Sequence, residues 1–278
     1  MSWTAVAKKD FQDAARSRWL WGLSVLFVLF AAGAAYLYTV IPTFSGGGEA
    51  QTIGLLVFLL TPAGLLVPII GLMISYKAVV GERESGSMKL MLSLPHSRGE
   101  MVLGKLVGRT LSTLIAIVVG FAVALVIVAT QYGEFDPASY AVFVLVTMLF
   151  ALVYISIGIA FSSLFASTSK ALAGAVGLYA LFEFLWGTVP LVLYYFVNGS
   201  SLQGYPTDWT RLITNLAPGA AYSNSVFALL PNDDITAMMG ASASDPFYLQ
   251  SWFGLVILLF WLVVPLAIGY ARFNSSDL

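Results

Sequence analysis

Gly81-Glu-Arg-Glu-Ser-Gly-Ser-Met-Lys-Leu-Met-Leu-Ser-Leu-Pro-His-Ser-Arg98 is a polar, charge-dense stretch set between long apolar runs. The runs decide the fold. Ala50–Tyr76 before it and Thr110–Gly133 after it carry no charged residue, and neither do Trp19–Gly48, Pro137–Ser169 and Pro246–Ala271. A further run, Ala171–Gly204, is broken only by Glu183. Each exceeds the roughly 20 residues a helix needs to cross a bilayer core of about 30 Å.

Composition agrees. Of 278 residues, 59% are hydrophobic and 10% charged, whereas soluble domains carry about 25% charged residues. The reading is an all-α integral membrane protein, one domain over 1–278, with six transmembrane helices near 19–41, 52–76, 108–130, 139–163, 171–197 and 250–271. A β-barrel is disfavoured, because barrel strands alternate lipid-facing and lumen-facing residues. Lys8, Lys9, Arg16 and Arg18 ahead of the first run resemble the start of a signal sequence, but the uninterrupted length of that run favours a retained helix.

Basic residues fix the expected orientation. Lys8, Lys9, Arg16 and Arg18 precede the first helix, Lys77, Arg83, Lys89, Arg98, Lys105 and Arg109 lie between the second and third, Lys170 precedes the fifth and Arg272 follows the sixth. Only Arg211 is basic on the other side, which carries Glu49, Glu134, Asp136, Asp208, Asp233, Asp234 and Asp245. By the positive-inside rule both termini are cytoplasmic. The near-neutral total gives no support for nucleic-acid binding. Without cysteine there is neither a disulfide nor a thiolate metal site, and the single histidine, His96, offers no pair for zinc-like ligation.

Between the spans the chain predicts three appendages. Residues 1–18 read as an amphipathic interfacial elbow helix, with Trp3, Ala7, Phe11 and Ala14 on one face and Lys8, Lys9, Gln12, Asp13 and Arg16 mainly on the other; a short leader with chance periodicity is the alternative. Residues 77–109 form the cytoplasmic loop. Residues 198–249 form an extracellular segment, a small cap of one or two short helices in which turn signals bracket the apolar stretch Ala220–Leu230. Pro62 and Pro68 inside the second span favour a bent helix there.

In the loop, Glu82-Arg83-Glu84 stands where the second helix leaves the membrane, Ser85-Gly86-Ser87 breaks the helical pattern, and Met88–Leu94 reads as a short transverse helix ending before Pro95. Gly99–Arg109 then leads as continuous helix into the third span. From charges alone, the loop could be solvated and merely satisfy the positive-inside rule. The ordered run Glu82-Arg83-Glu84-Ser85-Gly86-Ser87, then Leu90, Leu92 and Leu94, then Pro95-His96-Ser97-Arg98 and Gly104-Lys105, resembles the permease subunits of ABC-2 type ATP-binding-cassette transporters, in the branch that includes the nitrous-oxide-reductase maturation permease.

That resemblance implies a coupling helix near residues 85–94 that docks on a cytosolic ATPase. Its interface would hold Glu82, Arg83, Glu84, Met88, Leu90, Met91, Leu92 and Arg98, apolar side chains filling a groove while charges set register. It further implies two ATPase subunits that carry ATP and magnesium, a second copy of this permease or a similar one, and a prokaryotic inner membrane. Export is the expected direction. This chain is then no enzyme and binds no cofactor.

Gly99-Glu-Met-Val-Leu-Gly104-Lys105-Leu106 has the spacing of a phosphate loop up to its last position, where Leu106 replaces the Ser or Thr that holds magnesium. It is rejected on that ground. Glu183 is the one ionisable residue well inside a span, a candidate intramembrane polar site whose alternatives are a substrate or proton role and a structural hydrogen bond to another helix or subunit. The competing function is an ion-coupled secondary transporter using Glu183, although inverted repeats and several intramembrane charges are not evident. Neither His-Glu-x-x-His nor Gly-x-Ser-x-Gly is present to support an intramembrane enzyme.

Overall fold

The computed structural model describes residues 3–41, 51–88, 97–132, 135–230 and 245–275. Among these, helix accounts for nearly everything. Six helices are long and apolar enough to cross a membrane, as the charge-free runs predict. The chain enters through α1 (Trp3–Ala15) and continues into the first span, α2 (Arg18–Val40). The second span, α3 (Thr52–Ser75), keeps both Pro62 and Pro68 inside one helix and is followed, after a turn, by the short α4 (Val80–Glu84).

The third span, α5 (Arg98–Gln131), starts ten residues ahead of its apolar part because Ser97 and Glu100 form a capping box. Ser97 Oγ accepts from Glu100 N–H at 3.1 Å and the Glu100 carboxylate accepts from Ser97 N–H at 2.9 Å. Asp136 caps the fourth span, α6 (Pro137–Leu164), accepting from the N–H groups of Ala138 and Ser139, with Pro137 at the first helical position where no donor is lost.

The fifth span runs over Thr168–Val197 but is not one regular helix. It consists of α7 (Thr168–Ala180), a π-helical turn over Leu181–Leu185, a 3-10 turn over Trp186–Thr188 and α8 (Val189–Val197). Two short helices follow, α9 (Asp208–Asn215) and α10 (Pro218–Leu229), then the sixth span, α11 (Phe253–Asn274). Where one or two short helices are expected between spans five and six, the described residues hold these two. α10 packs among the spans: Tyr222 is fully buried, lies stacked on Phe150 of α6 at 4.4 Å and shares a 2.8 Å hydrogen bond with Thr147.

α6 is the centre of the bundle and the most buried span, flanked chiefly by α3, α5 and α11, with α10 also against it. Its Phe143, Phe150 and Tyr154 anchor the main core together with Phe121 of α5 and Tyr222. Aromatic rings supply large apolar area there, and the two hydroxyls of Tyr140 and Tyr222 find acceptors or partners, as burial demands.

Candidate functional site

One end of the bundle gathers charged residues from α1, α4 and α5. Two glycines make the meeting close. At Gly104 an added Cβ would stand 2.7 Å from Val6 Cβ, and at Gly108 it would stand 2.7 Å from the carbonyl oxygen of Ala7. α1 therefore lies against the start of α5 at a distance only glycine permits. One residue beyond each glycine, Lys105 and Arg109 project from neighbouring turns of the same helix.

Between them sits Asp10. Its carboxylate accepts from Arg109 Nε at 2.7 Å and faces Lys105 Nζ at 3.5 Å, and the side chains of Asp10 and Lys105 are only 5% and 3% exposed. Lys105 also donates to Glu82 at 3.2 Å, and Lys9 stands 3.6 Å from the same oxygen. Arg109 reaches on to the Ile74 carbonyl at 2.6 Å, at the end of α3. Ser87 hydrogen-bonds Glu82. Burial acts against ionisation of Glu82, but Lys105, Ser87 and Lys9 outweigh it and hold the carboxyl below the usual carboxylate range.

The other sequence-predicted residues hold the connection at its two ends. Glu84 accepts from the backbone N–H of Thr168 at 2.7 Å and from its hydroxyl at 2.5 Å. Those two hydrogen bonds keep its carboxyl below the usual range and tie α4 to the start of the fifth span. Val79 and Val80 N–H groups both donate to Ser162 Oγ, at 2.9 and 3.0 Å, which pins the turn before α4 to the end of α6. Arg98 donates to the carbonyls of Phe273 and Asn274 at 2.6 and 3.0 Å and lies over the Phe273 ring, closing the last turn of the sixth span.

Met88 is 1% exposed and packs with Val79, Met101, Val102, Ile155, Ile159 and Phe273 in a small core of its own. Its side chain is taken up within the chain. Arg83 is partly exposed. Leu90, Met91 and Leu92, with His96, lie outside the described residues. Residues 99–106 are helical from end to end, and Lys105 points into the ion-pair cluster rather than over a loop of free N–H groups. Asp10 is the member that reading the sequence missed. Its signal was its place on the stripe Val6, Ala7, Asp10 and Ala14, every member of which is buried.

The second place of interest lies near the middle of the fifth span. Glu183, half-buried, occupies the π turn of the fifth span. The turn between α9 and α10 comes up beside it: a Cβ at Gly219 would lie 3.8 Å from Glu183 Oε2. That turn is held by two indoles, Trp186 Nε1 donating to the Ile213 carbonyl at 2.7 Å and Trp261 Nε1 to the Leu216 carbonyl at 2.9 Å. Because Trp186 and Trp261 stand well inside their spans, α9 and α10 form a re-entrant pair. Irregular backbone at that depth is tolerated only where protein or an aqueous cavity surrounds it.

Comparison with known proteins agrees with this architecture. A family model described as "ABC-2 family transporter protein" matches residues 4–278. Over 253 residues the chain is 30% identical to the probable ABC transporter permease protein NosY of Pseudomonas aeruginosa, an overlap of 84% of this chain and 89% of that protein. Over 288 aligned positions it is 31% identical to the probable ABC transporter permease protein NosY of Stutzerimonas stutzeri, covering 97% of this chain and 96% of the relative.

Proposed function

The chain belongs to the ABC-2 family of transporter proteins and is a permease of an ABC transporter; from that premise we propose that it is the membrane subunit of an exporter driven by a separate cytosolic ATPase. The docking element is the segment near residues 85–94. ATP and magnesium belong to the ATPase, of which two copies serve two permeases, this chain with a second copy or a similar one. The membrane is the prokaryotic inner membrane, and the end that carries α1, α4 and Arg98 faces the cytoplasm.

The observation that supports this most is the way the docking segment is tied at both ends. Glu84 joins one end to the fifth span, Arg98 joins the other to the sixth, and Glu82 passes through Lys105 to α5 and on through Asp10 to α1. A push on a segment so connected reaches four elements at once. Glu82, Glu84, Met88 and Arg98 therefore act as its frame, while Arg83, Leu90, Met91 and Leu92 meet the ATPase. Apolar side chains enter a groove on the partner and flanking charges fix register. Closure of the ATPases on ATP would displace two such segments together and bias the pair between inward-open and outward-open states.

A secondary carrier using Glu183 is set aside by the family membership. The deciding experiment is capture of tagged protein in mild detergent, with identification of bound chains and an ATPase assay on wild type and Leu92→Asp. An ATP-binding chain bound to wild type and lost from Leu92→Asp is the expected result. Equal capture by both proteins would remove the docking role from this segment.

A further inference from the structure

Glu183 stands near the middle of the fifth span, and among the described residues no hydrogen bond or ion pair reaches its carboxylate. A carboxylate at that depth is costly and is ordinarily met by a cation, a partner group or water. This chain supplies no cation there. None of the described Lys and Arg residues stands near the middle of a span; Arg211, the one on the far side, is held by Asp245 at 2.8 and 3.1 Å. A second identical copy brings the same set, so a pair of this chain adds no described cation at midspan either.

The span changes from α to π to 3-10 geometry within eight residues around Glu183, and π turns of this kind are frequent at functional sites. Gly219 leaves open the space next to Oε2. Aromatic rings crowd the same level: Phe182 lies 4.8 Å from Trp186 and 5.0 Å from Trp261, and Phe184 lies 6.2 Å from Tyr179. The fifth span is also the least buried of the six, so much of its surface is left uncovered by the rest of the chain.

We propose that Glu183 and these aromatic side chains form a binding site for a lipophilic organic cation, and that the transported cargo carries such a group. The carboxylate supplies the opposing charge, the ring faces add cation–π attraction, and Gly219 supplies room. The role in transport rests on the permease reading above, whereas binding itself does not require the ATPase.

The test uses the purified full chain in detergent, with tetraphenylphosphonium as the probe and tryptophan fluorescence as the readout, since Trp186 and Trp261 adjoin the site. Tetraphenylborate, similar in shape and opposite in charge, controls for partition into the micelle. Expected is a saturable response to tetraphenylphosphonium alone, weakened about tenfold or more, or roughly 1.4 kcal/mol, in Glu183→Gln. Gly219→Leu, which keeps the carboxylate and fills the space beside it, should weaken binding to a similar extent. Equal affinity in wild type and Glu183→Gln overturns the proposal, and so does the lack of a saturable response in wild type. Should Glu183→Gln fail to fold, undiminished binding by Gly219→Leu overturns it. ATPase capture without cation binding sinks this proposal alone; cation binding without capture sinks only the docking assignment.

Discussion

Asp10 holds two cations at once, Arg109 at 2.7 Å and Lys105 at 3.5 Å, in a place from which water is nearly excluded. Breaking a buried pair by removing one member is costly because the remaining charge is left in a poor solvent. For Asp10→Ala we expect a loss of about 3 kcal/mol, the lower end of the range for such pairs, since Glu82 still faces Lys105 and the Ile74 carbonyl still accepts from Arg109. The thermal unfolding midpoint of the detergent-solubilised protein measures it; an unmoved midpoint would mean that the cluster is solvated. Charge hid this residue from a reading of the sequence. An acidic side chain in an amphipathic helix is assigned to the polar face by default, and only its spacing from Val6, Ala7 and Ala14 placed it on the buried one. Lys105, by contrast, was visible as half of the Gly104-Lys105 pair, though nothing local could say that its partners would come from 23 and 95 residues away.

α1 owes its seat to Gly104 and Gly108, one turn apart on α5. At Gly108 the obstructing atom is a backbone carbonyl, which cannot swing aside as a side-chain tip can. Gly108→Val therefore forces α1 away from α5, at a cost of about 1–3 kcal/mol for overpacking. Limited proteolysis of the protein in nanodiscs should cut within residues 3–15 faster in this variant, and an unchanged rate would show that α1 is not held by this contact. Elements were legible to different degrees. Five spans follow from charge-free length alone and the fifth from a run broken only by Glu183, and the early start of α5 follows from Ser97 and Glu100, a local capping signal. α10 was visible as a short apolar helix but not in its position, because depth in the membrane depends on what Tyr222 meets, and Phe150 and Thr147 lie over 70 residues away. The π turn around Glu183 had no local marker at all.

Across the whole molecule, contacts sort the chain into two ends. Asp10 of α1 meets Lys105, Glu84 meets Thr168, and Arg98 meets Phe273, so both terminal helices, α4 and the start of α5 share one end, while Asp136 N–H donates to Thr52 Oγ1 at 3.0 Å at the other. The distribution of Lys and Arg carried the same division in the sequence, because an even number of spans returns the chain to its starting side and basic residues accumulate there. What charge could not reveal is that Lys105 and Arg109 are paired with Asp10 and Glu82 of other elements rather than exposed to solvent. Orientation in the membrane is testable directly, since the chain has no cysteine and each introduced thiol is the only one present. Gln12→Cys, Gln203→Cys and Ser275→Cys sit at exposed positions. In intact spheroplasts a membrane-impermeant maleimide should label the thiol at 203, and those at 12 and 275 only after lysis. The reverse pattern would put the docking segment on the side of the membrane that holds no ATP, and an ATPase could not then drive this permease through it.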